Sequence, residues 1–281
     1  MNFGKIILIL FIILSIGIIF SYFIFNDENS QNVDEVELIE MYPGNLFILL
    51  VDPKDIVINE GNQSILKATF DLNDEFKNTY DEIGVYDLNE KPIFIIPIFT
   101  ASAYAANGFY DFYSGNCDES CLNTKIVSNS NLAFTSSSNA VQILQLLGYD
   151  SITDIDLHKN PEILNEYSKV IVLHNEYVTK IEFDAITSHP NVVYLYPNAL
   201  YAEIEYDDEK DEIKLVKGHE YPDPSIKNGF DWEFENTHPF EFDILCDNWE
   251  FYEITNGVML NCYPENIIWQ DEEFLKVLKN I

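Results

Sequence analysis

Arginine is absent from this 281-residue sequence, and positive charge is scarce: 15 lysines face 48 aspartates and glutamates, giving a formal net charge of −33 at pH 7. A surface this negative repels the phosphate backbone, and no guanidinium is available for the paired contacts that read phosphate or guanine. We therefore expect no nucleic-acid partner. The apolar fraction of 47% excludes an intrinsically disordered chain.

Cysteine is also scarce, with four residues at Cys117, Cys121, Cys246 and Cys262. An even number is typical of two disulfides in an exported protein. Three pairings are possible, and the sequence-local one joins Cys117 to Cys121 and Cys246 to Cys262. A zinc site is the alternative, which the lack of histidine near either pair disfavours.

The longest apolar run lies at the N-terminus, where residues 6–25 between Lys5 and Asp27 carry no charge. At about 1.5 Å per residue, such a helix reaches the roughly 30 Å of a bilayer core. No small-x-small cleavage site follows, so we expect an uncleaved signal anchor over residues 1–25. Lys5 places the N-terminus in the cytoplasm. This predicts a single-pass cell-membrane protein, held through its N-terminal helix, with an acidic linker over 26–40 and an extracytoplasmic C-terminal part.

Two further regions follow the linker. Residues 41–91 contain short β-branched runs broken by turn residues, which predicts a small β-rich subdomain. Residues 92–281 then alternate strand and helix patterns, which is typical of a parallel sheet with flanking helices. The expected fold class is α/β, preceded by the transmembrane helix and the β-rich subdomain. A disulfide-stapled β extension is expected towards the C-terminus, with a final amphipathic helix over 271–280.

Two apolar runs, 169–173 and 191–196, predict neighbouring central strands. In open α/β sheets, ligands bind outside the carboxyl ends of the strands, so the residues after each run are expected to line one crevice. His174 follows the first run and Asn198 follows the second. We expect these two residues to orient or protonate a ligand, as catalytic groups in an enzyme.

Several segments carry a resemblance to a known family. They are Thr153-Asp154-Ile155-Asp156-Leu157, His174-Asn175-Glu176-Tyr177, Asn198-Ala199-Leu200-Tyr201 and the upstream stretch Thr100 to Tyr110. In order and spacing they resemble the catalytic C-terminal domain of the N,N-dimethylformamidase large subunit. The likeness runs from about Pro92 to Tyr206.

The resemblance implies a glutamine-amidotransferase-like, flavodoxin-like α/β fold and, in the family's enzymes, a mononuclear iron held by two tyrosines and one glutamate. Glu176 matches the carboxylate ligand and Tyr104 matches one tyrosinate. Tyr110 is the candidate for the second tyrosinate, with Tyr113 as its alternative. Phenolate and carboxylate oxygens suit ferric iron, which would activate a water for attack on an amide carbonyl.

The sequence departs from the family pattern at Val178, where the family has tryptophan, at His189-Pro190, where it has a glycine pair, and after Tyr110, where no Arg-Pro follows. These departures favour a membrane-anchored, non-catalytic binding or cell-envelope interaction module that keeps the amidase-like fold. The alternative is a mononuclear-iron-dependent hydrolase of a small amide or related C–N bond. The expected ligand is a small amide or a sugar, and the oligomeric state is left open.

Overall fold

The computed structural model describes residues 37–42, 44–59, 62–87, 89, 91–127, 132, 137–232, 243 and 245–281. The chain divides into two units, Met1–Ile39 and Glu40–Ile281. Of the first unit only residues 37–39 are described, so nearly all described residues belong to the second.

Short strands and helices make up the described part of the chain. The strands, in chain order, are β1 (Ile39–Met41), β2 (Phe47–Val51), β3 (Ile56–Asn59), β4 (Asn62–Ile65), β5 (Thr69–Leu72), β6 (Ile93–Ile96), β7 (Asn123–Lys125), β8 (Asp150–Thr153), β9 (Val170–Val172), β10 (Tyr177–Thr179), β11 (Val192–Tyr194), β12 (Ala202–Asp207), β13 (Glu212–Lys217), β14 (Phe251–Ile254) and β15 (Gly257–Leu260). The helices are α1 (Lys77–Ile83), α2 (Ile98–Ala103), α3 (Phe109–Tyr113), α4 (Ser138–Leu146), α5 (Asp154–Lys159), α6 (Lys180–Ser188), α7 (Ile267–Gln270) and α8 (Glu272–Asn280). Short 3₁₀ turns occur at Pro53–Asp55, Asp74–Phe76, Glu119–Leu122 and Pro161–Glu166.

The largest sheet has six strands in the order β14-β15-β11-β9-β6-β8. Neighbouring strands from β15 to β8 run parallel, and β14 is antiparallel to β15. The central strands β9 and β11 are buried along their whole length, as continuous apolar runs in a covered parallel sheet must be. Alternate residues face opposite sides: Ile171 packs with α4 and α8, whereas Val170 and Val172 pack with α5 and α6.

A second sheet has the order β10-β12-β13-β7. Strand β10 is parallel to β12, and the remaining pairs are antiparallel. Its apolar face packs against α2 and α3 in a third core that includes Phe99, Phe109 and Tyr177. Since β10 begins shortly after β9 ends, the chain passes directly from the first sheet into the second.

Two smaller sheets lie earlier in the chain, a three-stranded one in the order β1-β2-β5 and the hairpin β3-β4. The buried side chains of β2, Phe47, Leu49 and Val51, belong to the same core as the apolar faces of α4 and α8. The strands of this region therefore bury their apolar face against the helices of the large sheet rather than against one another.

The predicted fold class is wrong. The described residues form a mixed α/β structure with several sheets, because the early strands share the core of the large sheet and a second, mixed sheet follows β9. Across the parts of the chain that the structure describes, no helix has the length and apolar character needed to cross a bilayer. The predicted anchor, 1–25, and most of the predicted linker, 26–36, lie outside the described residues.

Both disulfides of the sequence-local pairing are present, Cys117–Cys121 and Cys246–Cys262. All four cysteines are thereby paired. This decides between the three pairings left open by the sequence, and it removes the thiolates that the zinc alternative requires.

Candidate functional site

The link between the two sheets carries Glu176. Its carbonyl oxygen accepts hydrogen bonds from Tyr201 N and Ala202 N, both at 2.9 Å, and the carbonyl of the preceding Asn175 accepts one from Leu200 N at 2.8 Å. The Asn175 side-chain oxygen also accepts from Leu173 N at 3.1 Å. The residues after β9 and those after β11 thus lie together, and this backbone network fixes Glu176 at the carboxyl ends of the strands.

Helix α2 follows β6 and brings Tyr104 to the same place, since Tyr104 is the residue that ends the helix. Asp154 accepts a 2.8 Å hydrogen bond from Phe99 N at the helix start. Thr100 Oγ1 accepts from Tyr177 N at 3.1 Å, which ties the helix to the neighbour of Glu176 in sequence. Helix α2 is therefore anchored to the elements that hold Glu176.

A tight turn then brings Tyr110 back beside Tyr104. An ideal Cβ on Gly108 would lie 2.3 Å from Ala103 O, so the turn needs glycine at this position. Asn107, which has a positive φ of 62°, donates its N–H to Asp111 Oδ2 at 2.6 Å. The rings of Tyr104 and Tyr110 consequently lie 4.1 Å apart between centroids.

The side-chain oxygens of three residues meet at this point. The Tyr104 hydroxyl donates to Glu176 Oε2 at 2.7 Å. The Tyr110 hydroxyl lies 2.8 Å from Tyr104 Oη and 3.4 Å from Glu176 Oε1. Of the predicted metal-ligating residues, the structure thus brings Glu176, Tyr104 and Tyr110 together. Tyr113, the alternative to Tyr110, packs edge-on against the Tyr110 ring, with 6.1 Å between centroids.

Two imidazoles contact the same carboxylate. His174 Nε2 lies 3.3 Å from Glu176 Oε2, and His219 Nε2 contacts Glu176 Oε1. His174 is 3% exposed and its ring stacks on Tyr196 at 5.4 Å between centroids. Sequence reasoning missed His219 because the recognised likeness ended near Tyr206. The only local signal is the Gly-His-Glu-Tyr-Pro segment directly after a strand.

Asn198, the other predicted catalytic residue, lies in the loop after β11 and is 4% exposed. Among the residues that the structure describes, its side-chain oxygen has no hydrogen-bond partner. The buried Tyr177 hydroxyl is likewise without a partner within the described part of the chain. Asn198 Oδ1 and Tyr177 Oη are thus two buried polar atoms with hydrogen-bonding capacity that the described residues leave unused.

The charge state of the cluster follows from its surroundings. Glu176 is fully buried, which by itself raises the pKa of its carboxyl, but His219 and His174 outweigh burial and hold that pKa well below its usual range. Burial and the charge of Glu176 raise the pKa of Tyr104 far above its usual range. Without a bound cation, Glu176 is therefore an anion and Tyr104 a neutral phenol.

The family model described as N,N-dimethylformamidase beta subunit-like, C-terminal, matches residues 79–237, which is more than half of the chain. The chain belongs to this family. The resemblance drawn from the motifs is thereby confirmed, and the match to the N,N-dimethylformamidase beta subunit-like domain extends past Tyr206 to include His219. No curated protein matches the chain.

The N,N-dimethylformamidase-like domain offers an unusual donor set for a metal. Within the described residues, no group of three or more His, Cys, Asp or Glu side chains is arranged to hold a metal ion. A metal at the Glu176 cluster would therefore depend on tyrosine oxygens. Whether iron binds there stays a prediction.

Proposed function

We propose that this protein is a metal-dependent hydrolase of a small amide or a related C–N bond, with ferric iron held by Tyr104, Tyr110 and Glu176. One observation carries the proposal: the two phenol oxygens and the carboxylate lie within 2.7 to 3.4 Å of one another. These residues come from the end of α2, from α3 and from the β9–β10 link, and the backbone contacts described above hold these elements together.

The donor set supports ferric iron more than zinc. Carboxylate and phenolate are hard oxygen donors, whereas zinc in proteins prefers cysteine and histidine. The raised pKa of Tyr104 means that its proton leaves only in exchange for a strongly Lewis-acidic cation. When bound, ferric iron supplies Lewis acidity that acidifies water and polarises an amide carbonyl.

The other residues of the site have roles that follow from their contacts. His174 is fixed by stacking on Tyr196, and its Nε2 lies against Glu176 Oε2, so it orients the carboxylate and is placed to take or return a proton at Nε2. The buried hydroxyl of Tyr177 and the side-chain amide of Asn198 are placed to accept or donate hydrogen bonds to a substrate.

The non-catalytic binding module expected from the departures at Val178 and His189-Pro190 requires Tyr104, Tyr110 and Glu176 to be too far apart to share one ion. Their separations favour the hydrolase instead. A protein that binds a small amide or sugar without turnover remains an outcome of the test.

The test uses the full chain loaded with ferric iron and N,N-dimethylformamide, together with a panel of other small amides, as probes. Release of an amine is measured for the wild type, Glu176→Ala and the control Glu166→Ala, which removes an exposed carboxylate outside the site. The proposal predicts turnover in the wild type and the control, and its loss in Glu176→Ala. Iron-loaded wild type that releases no amine from any amide in the panel would contradict it.

A further inference from the structure

His219 lies closest to the carboxylate oxygen that faces Tyr110. Its Nε2 contacts Glu176 Oε1, and Tyr110 Oη lies 3.4 Å from that same oxygen. The other oxygen, Oε2, faces Tyr104 and His174 instead. The imidazole of His219 therefore stands beside the three candidate metal donors, on the side of the second tyrosine.

The His219 ring has little freedom to turn. It stacks on Tyr177 at 5.4 Å between centroids, meets Tyr201 edge-on at 4.5 Å and contacts Tyr113 at 5.8 Å. The side chain is nevertheless 20% exposed, against 1% for Glu176. These contacts present Nε2 to Glu176 Oε1 from the more exposed side of the carboxylate.

The backbone that carries His219 is held in a costly conformation. His219 and Glu220 have positive φ values of 50° and 65°, a region that non-glycine residues occupy only at a cost in backbone strain. The surrounding loop fixes them: His219 N donates to Lys227 O at 2.9 Å, and Glu220 N donates to Ile226 O at 2.7 Å. Such strain persists where the structure over-determines it and is concentrated at functional sites.

Gly218 lets this loop approach β12. An ideal Cβ on Gly218 would lie 2.9 Å from both Cα and Cβ of Ala202, and its φ of 126° is open to glycine alone. Ala202 N in turn donates to the carbonyl of Glu176. The loop and the carboxylate are thus positioned by the same strand.

From this geometry we infer that His219 is a fourth protein ligand of the metal and binds it through Nε2; the inference rests on the proposed function. Imidazole nitrogen is a common ligand for iron, and its addition gives a set of one nitrogen and three oxygens. His174 differs because it contacts the other carboxylate oxygen, Oε2, on the side of Tyr104. There it acts as a positioning residue. The site so defined takes an ion that accepts both imidazole and phenolate.

The test measures nitrogen hyperfine coupling to the iron by electron spin resonance, on the full chain loaded with ferric iron. The wild type, His219→Gln and His174→Gln are compared, with iron affinity measured in parallel. We expect coupling in the wild type, its loss in His219→Gln and its retention in His174→Gln. The iron affinity of His219→Gln should fall by more than the roughly 10- to 100-fold that the loss of an outer hydrogen bond costs.

Added imidazole should restore the coupling in His219→Ala, a rescue that a misfolded variant would not show. Iron-loaded wild type without nitrogen coupling, or His219→Gln with unchanged coupling, would overturn the fourth ligand while leaving the proposed function standing. Wild type that binds no iron would overturn the proposed function and, with it, this inference.

Discussion

The hydroxyl of Tyr104 donates a 2.7 Å hydrogen bond to Oε2 of Glu176, across 72 positions in the chain. Tyr104 ends the helix after β6, and Glu176 lies in the link after the neighbouring strand β9. Parallel pairing of these strands brings their carboxyl ends to one edge of the sheet, and this places the two residues in contact.

The hydrogen bond between Tyr104 and Glu176 gives the first prediction, which concerns stability. Tyr104→Phe removes a hydrogen bond to a buried, charged carboxylate and should lower the free energy of unfolding of the metal-free protein by about 1–3 kcal/mol. Urea denaturation measures this as a lower midpoint at an unchanged m value. Tyr113→Phe is the matched control, and an equal loss in both variants would contradict the importance of this hydrogen bond.

The turn before α3 gives a second prediction. Gly108→Ala places a methyl group 2.3 Å from Ala103 O, so the turn must open and carry Tyr110 away from Tyr104. We expect a loss of about 1–3 kcal/mol in the free energy of unfolding, as for other overpacked sites, together with weaker iron binding. Ala106→Ser, at an exposed position of the same turn, should change neither. Iron affinity equal to that of the wild type would show that Tyr110 does not need this turn.

Two buried carboxyl groups make the stability of the fold depend on pH. Burial raises the pKa of Asp154, and burial and the charge of Asp154 raise the pKa of Glu182. The folded state then holds protons that the unfolded chain releases, so stability from these groups is greatest below their unfolded pKa values of about 4 and falls as pH rises towards the folded values.

Glu182→Gln removes one of these titratable groups, and its amide oxygen can keep the hydrogen bonds that Glu182 accepts from Thr179. The free energy of unfolding should therefore fall less steeply with rising pH than in the wild type. Chemical denaturation across the pH range measures the slope. Glu166→Gln at an exposed position is the control, and an unchanged slope in Glu182→Gln would contradict a protonated pair.

The two disulfides should contribute unequally to stability. Cys246–Cys262 spans 16 positions and Cys117–Cys121 spans four. Loop-closure entropy assigns about 3 kcal/mol to the longer span and about 2 kcal/mol to the shorter one. Paired substitution to alanine at each disulfide, followed by urea denaturation, should show the larger loss for Cys246 and Cys262. The opposite order would show that loop length does not determine their contributions.

Local sequence patterns predict those strands and helices whose buried residues form a clear apolar run or an amphipathic face. Strands β9 and β11 and helix α8 occur where the patterns place them, and Thr179 caps α6 with a capping box. Pattern shows which face a strand buries but not which partner covers it. The pattern over 41–91 predicts strands, but it does not show that Phe47 of β2 packs in the same core as α4 and α8.

The residues of the candidate site also differ in whether the sequence predicts them. Glu176, Tyr104 and Tyr110 follow from the family resemblance, because they lie in the segments that carry it. His219 reaches Glu176 only through a loop with positive φ values, 43 positions further along the chain. No periodicity or spacing predicts that contact, because it depends on backbone conformations that propensity disfavours in non-glycine residues.

Titration of the full chain with ferric iron, followed by visible absorption, tests the central claim most directly. We predict one iron per chain, with a tyrosinate-to-iron charge-transfer band that is lost in Glu176→Ala and retained in Glu166→Gln. A wild-type chain that takes up no iron, or a Glu176→Ala chain that binds one equivalent with the same band, would contradict it.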